Sequence, residues 1–282
     1  MKRQQISKLL VAIIPLLVVV SGCQPASELE QQADSDQMPM NERLVPQFEV
    51  DPSWPMLPNN WVLGSVASVD VDSRDHVWIY HRPRSVDEEQ RENAAPAVLE
   101  FDTEGDFVQG WGGPGDGYEW PANEHGIEVD NQDHVWLGGN GGGESSDDML
   151  LKFTRDGQLV MQIGGRNTSG GNADTDNLNR PSEVAVYSDT NEVFVADGYG
   201  NRRVIVFDAD TGGYKRMWGA FQNEPIDASA EQPPPDAELG PLQFGTVHGI
   251  EVSNDGLVYV SDRDLNRIQV FSIDGTYQTQ VF

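Results

Sequence analysis

One unit, written four times, constrains this chain more than any other feature. Its marker is a polar turn followed by an alternating apolar stretch: DSRDHVWIY, DNQDHVWLG, SDTNEVFVA and SNDGLVYVS. The marker valines Val77, Val135, Val193 and Val258 are spaced by 58, 58 and 65 residues. A second alternating stretch precedes each marker (VASVDV, HGIEV, SEVAV, HGIEV), and a third follows after a loop (AVLEF, MLLKF, VIVF, IQVF). An Asp/Gly turn then leads to a fourth, such as FVQGWG or YKRMWGA. Alternation with a period of two, punctuated by turn residues, predicts strands and not helices. Four antiparallel strands per repeat make a propeller blade. A blade cannot bury both of its faces alone, so the blades must stack radially around a channel. The predicted class is all-β, a β-propeller with four blades present. Separate β-domains are the alternative, and a fourfold recurrence of the same order of strands and turns argues against them.

Charge narrows the partners. Lys and Arg total 18 against 46 Asp and Glu, a formal charge of −28. Like charge repels, so neither a nucleic-acid backbone nor an anionic lipid surface suits this chain. A single cysteine excludes a disulfide within the chain. That cysteine has a particular setting. Lys2, Arg3 and Lys8 precede an apolar run over residues 9–20, and Ser21-Gly22-Cys23 follows. The arrangement resembles a bacterial lipoprotein signal, cleaved before Cys23, which then takes lipid (palmitate among the chains) on its thiol and new amine. An ordinary secretory signal or an uncleaved anchor is the alternative. The expected organisation is a signal peptide over 1–22, a lipidated cysteine and flexible polar linker over 23–46, and the propeller over 47–282. Gln24 after the cysteine suggests, by the same resemblance, the outer membrane of a Gram-negative cell envelope.

The repeats resemble the NHL-repeat family, whose members usually form five- or six-bladed propellers. Here Gln280-Val281-Phe282 fall in the fourth strand of the fourth unit. The expectation is a C-terminally incomplete propeller with two exposed apolar blade faces.

One pentapeptide occurs twice. His125-Gly126-Ile127-Glu128-Val129 is identical to His248-Gly249-Ile250-Glu251-Val252, and each opens the innermost strand of its blade. The equivalent positions in units one and three are Ala67 and Ser182. In a six-bladed ring, blades two, four and six lie about 120° apart, so histidines there converge on the axis. Three of them would form a catalytic zinc site with an open position. Hydrogen-bonded lining of the channel mouth is the plainer reading. His76 and His134 fall in polar turns and read as solvent-facing; the role of His81 stays open. Arg82, Tyr199 and Arg263 follow the second strands, at the end where the two histidines emerge. Arginines there suit a carboxylate, and a tyrosine between cations can serve as a base. Pairing with a neighbouring aspartate is the alternative for each: Asp197 for Tyr199, and Asp262 or Asp264 for Arg263.

Taken together, IYHR, HGIEVDNQDHVWL, RPSEVAVYSDTNEVFVADGYGNRR and VHGIEVSNDGLVYVSDRDLNRIQVF resemble the peptidyl-α-hydroxyglycine α-amidating lyases over roughly residues 60 to 282. The resemblance implies that His125 and His248 are two of three zinc ligands. It implies Tyr199 as the catalytic base and Arg82 and Arg263 as active-site arginines. It also implies a structural calcium held partly by the main-chain carbonyls of Val69 and Ile127. The implied reaction cleaves a C-terminal α-hydroxyglycine to a peptide amide and glyoxylate. Three departures stand against it. The third histidine and the calcium carboxylate beside it have no counterpart in the chain. The family's cysteines near the tyrosine are absent, with Gly200 in one of those positions. An acidic, Pro-rich insertion occupies residues 223–241. With two of three ligands, weak zinc binding and little turnover are expected. The other readings are a non-catalytic, surface-tethered propeller that binds a small ligand or a protein, and a calcium-dependent lactonase-like propeller. The latter places Glu, Asn and Asp in its channel, where histidine and arginine are the residues expected here.

Overall fold

The computed structural model describes residues 46–282, so the expected signal peptide and the expected lipidation at Cys23 lie outside the described residues. Within them, four antiparallel sheets follow one another along the chain. The first comprises β1 (Ser65–Val71), β2 (Val77–Arg82), β3 (Val98–Phe101) and β4 (Phe107–Trp111). The second comprises β5 (Glu124–Val129), β6 (Val135–Gly139), β7 (Met149–Phe153) and β8 (Leu159–Gly164). The third comprises β9 (Glu183–Tyr187), β10 (Glu192–Asp197), β11 (Arg203–Asp208) and β12 (Tyr214–Trp218). The fourth comprises β13 (Val247–Val252), β14 (Leu257–Asp262), β15 (Arg267–Ser272) and β16 (Tyr277–Val281). Each sheet is a plain meander with its strands in sequence order. This is the β-propeller blade that the repeats predict. Among the described residues no helix is long and apolar enough to cross a membrane.

Blades stack through their alternating faces. Trp78, Tyr80 and Val98 of the first meet Ile127, Leu137 and Leu151 of the second. Trp136 and Leu150 of the second meet Val193, Ile205 and Phe207 of the third. Phe194 and Val206 of the third meet Val258, Val260 and Phe271 of the fourth. The expectation of two bare apolar faces needs correction for one of them. Trp54, Leu57, Trp61 and Leu63, upstream of β1, pack over Ile79, Leu99 and Phe101 on the outer face of the first blade. The corresponding face of the fourth blade leaves Tyr259 40%, Ile268 38% and Val281 55% exposed.

Two further devices fix the blades. The first satisfies the inner strands, which have a sheet neighbour on one side only. Asp70 Oδ2 accepts the Val129 amide at 2.5 Å, and Glu128 Oε1 accepts the Val186 amide at 3.1 Å. Glu183 is held in the same way by the Ile250 amide. Each carboxylate thus reaches from one inner strand to the exposed edge of the next. The second device is a buried ion pair in each of the last two blades. Asp197 and Arg203 (2.8 Å) are both fully buried, as are Asp262 and Arg267 (3.0 Å) to within 1%. The acids accept the amides of Asn179 and Gly245, and the arginines donate to carbonyls of the same inter-blade loops, among them Asn172, Asn177, Pro241 and Gln243. The pairs therefore pin the loops that lead into β9 and β13.

Two expected outcomes test these devices. Arg203→Ala strands Asp197 in the interior and is predicted to cost about 3–5 kcal/mol in urea unfolding. A loss under about 1 kcal/mol would show that the pair does not hold the loop. Burial, with Glu251 and Asp70 nearby, pushes the Glu183 carboxyl from 4.5 up to about 7. The folded state then binds this proton more tightly than the unfolded chain does. Its contribution is fully present below the unfolded value and is lost as pH rises through 7, by about 3 kcal/mol. Unfolding midpoints measured from pH 5 to 8 should fall, and Glu183→Gln should flatten that slope.

Candidate functional site

Both histidines of the repeated pentapeptide sit at the mouth of the channel, where β5 and β13 begin, and they face each other. Their ring centroids are 5.2 Å apart at 75°. Tyr199, on the turn after β10, stands between them. Its hydroxyl lies 3.0 Å from His125 Nε2 and 3.0 Å from His248 Nε2. Arg263, on the turn after β14, donates from Nη1 to the same hydroxyl at 3.2 Å, with its guanidinium 5.2 Å from the ring centroid. Four of the residues singled out from sequence thus meet at one oxygen atom.

Hydrogen-bond chemistry fixes the proton positions. His125 Nδ1 lies 2.8 Å from the carbonyl of Ser182, which can only accept, so Nδ1 carries the proton and Nε2 presents a lone pair. The Tyr199 hydroxyl donates to that lone pair and accepts from Arg263. Burial pushes the His125 imidazole down to about 4, with His248, Arg82 and Arg263 adding to the effect against the Ser182 bond. His248 is also lowered, first by burial and then by Arg263. Both rings are therefore neutral at neutral pH. A neutral imidazole whose other nitrogen is tied to a carbonyl has the form that metal-ligating histidines take.

The remaining predicted residues fall as follows. Arg82 ends β2 and donates from Nε to the carbonyl of Glu124 at 2.9 Å, beside His125. Tyr199 does not pair with Asp197, which is committed to Arg203 and Asn201. Arg263 contacts Asp264 at 3.4 Å as well as Tyr199. Val69 and Ile127 lie on β1 and β5, opposite Ile79 and Leu137. The amides of Asp72 and Asp130 point to the neighbouring strand, so by alternation the carbonyls of Val69 and Ile127 lie on the channel edge. Gly200 packs so closely on the Asn179 side chain that a Cβ there would overlap it, which leaves no room for a cysteine.

The other histidines are structural. His81 is fully buried, accepts the Gly64 amide at Nδ1 (3.1 Å) and donates from Nε2 to the carbonyl of Pro96 (2.8 Å). His76 is not the solvent-facing residue expected, because its Nδ1 lies 2.6 Å from the buried Glu100. His134, likewise expected to face solvent, is half-buried at 3.4 Å from Asp130. Asp72, His76 and Glu100 form a group whose ligand atoms lie within 4.8 Å of one another. It fits a metal poorly, since Arg155 already occupies it, bonded to Asp72 at 2.9 Å and to Glu100. Some functional groups carry little sequence signal. The Ser182 carbonyl acts through the main chain, which side-chain patterns do not report. The channel carboxylates Asp70, Glu128 and Glu251 share one register position, and the recurring acid could have revealed them. Their presence corrects the expectation that only histidine and arginine face the channel.

No family model matches the sequence. NHL repeat-containing protein 3 of Homo sapiens is 26% identical over 232 residues, 80% of this chain and 57% of its own length. Peptidyl-alpha-hydroxyglycine alpha-amidating lyase 1 of Drosophila melanogaster is 27% identical over 250 residues, 81% of this chain and 41% of its own length. A probable lyase of the same name from Caenorhabditis elegans is 30% identical over 149 residues, 52% of this chain and 36% of its own. The chain thus spans about half, or less, of the curated relatives it matches, and its similarity runs to both groups.

The proton assignment makes a direct prediction. Nitrogen-15 imidazole spectra of the metal-free protein should show His125 protonated at Nδ1 and bare at Nε2 down to about pH 5. A ring that is cationic at pH 6.5, or protonated at Nε2, would contradict it.

Proposed function

We propose that this NHL-repeat propeller is a lipid-anchored envelope protein whose channel mouth carries a zinc-dependent, lyase-like site. The supporting observation is the convergence of His125 Nε2, His248 Nε2 and Arg263 Nη1 on the Tyr199 hydroxyl. Two neutral imidazole nitrogens suit zinc, a borderline cation. Bound there, zinc would supply a Lewis acid that polarises a substrate hydroxyl. The carbonyls of Val69 and Ile127, beside Asp70 and Glu128, suit calcium as a hard cation. Anchorage through Cys23 at the outer membrane would place the mouth outside the cytoplasm.

The proposed substrate is a peptide-like α-hydroxyglycine. Arg82 holds its terminal carboxylate and so fixes the scissile bond in place. Tyr199 Oη, with its proton released to solvent and the resulting charge stabilised by the Arg263 guanidinium, takes the hydroxyl proton. As the carbonyl forms, the C–N bond breaks. The electron pair goes to nitrogen, which takes up a proton to leave the amide, and glyoxylate departs.

One observation favours a second reading, a surface-tethered propeller that captures an anionic ligand or a protein without turnover. Only two imidazoles meet, because His76 and His81 are bonded elsewhere and His134 lies beside Asp130 in its own turn. Two measurements separate the readings. Zinc titrated into the full chain should bind at one site, and His125→Ala should abolish both that binding and glyoxylate release from an α-hydroxyglycine peptide. Tyr199→Phe should keep zinc and lower turnover by at least about 100-fold. A folded chain that takes up no zinc and releases no glyoxylate leaves the binding propeller.

A further inference from the structure

The mouth contains a third arginine that the sequence did not single out. Arg180 lies on the loop entering β9, and it grips the Tyr199 turn twice. Its carbonyl accepts the Tyr199 amide at 3.3 Å, and its Nη2 donates to the Tyr199 carbonyl at 2.6 Å. No carboxylate lies within ion-pair distance of it among the described residues, and the same holds for Arg82. Their side chains hydrogen-bond only to main-chain carbonyls. Arg74, Arg84, Arg155, Arg203, Arg216 and Arg267 each hold an acid. Arg82 and Arg180 thus bring positive charge without an ion-paired carboxylate to the mouth, while Arg91, Arg202 and Lys152 do so elsewhere, bonded to the Val86 carbonyl, Gln232 and the Ala209 carbonyl.

Backbone geometry also marks Arg180. Its φ is +59°, in the left-handed region. A glycine reaches that region freely, whereas a residue with a Cβ is strained there by about 1 kcal/mol. Across from it, Gly142 has no side chain, and a Cβ there would come within 3.1 Å of the guanidinium. So a side chain is retained where glycine would be easier, and omitted where it would cover the guanidinium. Most of the five Arg180 donors are left without a partner.

We infer that Arg180 forms a second anion subsite, and that the ligand class is a peptide-like molecule with an acidic side chain next to its C-terminal residue. This rests on the proposed carboxylate-binding role of Arg82. A tyrosine holds its hydroxyl roughly two residue lengths, about 7 Å, from its own main chain. Arg180 is bonded to that main chain and not to the Tyr199 hydroxyl, so its guanidinium is a separate anchor from the Arg263 guanidinium at that oxygen. The subsite assigns the α-hydroxyglycine carboxylate to Arg82 and the acidic side chain of the preceding residue to this guanidinium.

The test compares acetyl-Glu-glycine with acetyl-Gln-glycine as unreactive ligands in calorimetry, and the matching α-hydroxyglycine peptides in turnover. The full-length chain should favour the Glu peptide by about tenfold, the worth of one charge-assisted hydrogen bond. Arg180→Gln should bring the Glu/Gln ratio to near one, and Arg180→Lys should restore part of it. Because the ratio is read within each variant, any general loss of activity cancels. A Glu preference in binding that depends on Arg180, without glyoxylate release, keeps the subsite and removes the lyase reading. Glyoxylate release with no Glu preference, or with a preference unchanged in Arg180→Gln, overturns the subsite and leaves the lyase reading intact. Failure of the Glu peptide to bind also overturns the subsite.

Discussion

An inner strand of a blade has a sheet neighbour on one side only, and its other edge faces a channel. The unpaired amides of that edge must find acceptors, since a buried amide left without one costs about 1–3 kcal/mol. Here the acceptors come from the preceding blade. Asp70 serves Val129, Glu128 serves Val186, and Glu183 serves Ile250. This arrangement sets the order of the blades and fills the channel with carboxylates. It also separates an acidic interior from a mouth where arginines and neutral imidazoles gather.

The mouth is built from turns that the propeller holds in place. The buried pairs Asp197–Arg203 and Asp262–Arg267 tie the inter-blade loops to the ends of β10 and β14. Tyr199 and Arg263 occupy the turns between the members of those pairs, so the ion pairs position both residues without touching them. Ser182, fully buried at the start of the third blade, supplies the carbonyl that sets the His125 tautomer. A site that draws on three blades in this way is precise only if the blades are rigidly stacked. The apolar clusters between successive blades provide that rigidity.

The fold was legible because its period is simple: each marker valine lies at or next to the start of a second strand, and each HGIEV opens a first strand. The meeting of His125 and His248 was legible for a related reason, since an identical pentapeptide in alternate repeats occupies equivalent places around an axis. Arg180 was hidden within RPSEVAV, where its left-handed backbone and bond to the Tyr199 carbonyl leave no mark. A polar turn predicts a solvent-facing His76, whereas Glu100, distant in sequence, draws it inward. The covering of the first blade by Trp54 and Trp61 was missed because that segment lies outside the repeat.

X-ray absorption at the zinc edge of the zinc-loaded full chain tests the central geometry most directly. Two imidazoles from alternate blades sharing one ion predict a shell of two nitrogen scatterers with imidazole outer-shell features at about 2.0–2.1 Å, reduced to one in His248→Ala. A spectrum with oxygen neighbours only, or one unchanged in that variant, would contradict the account.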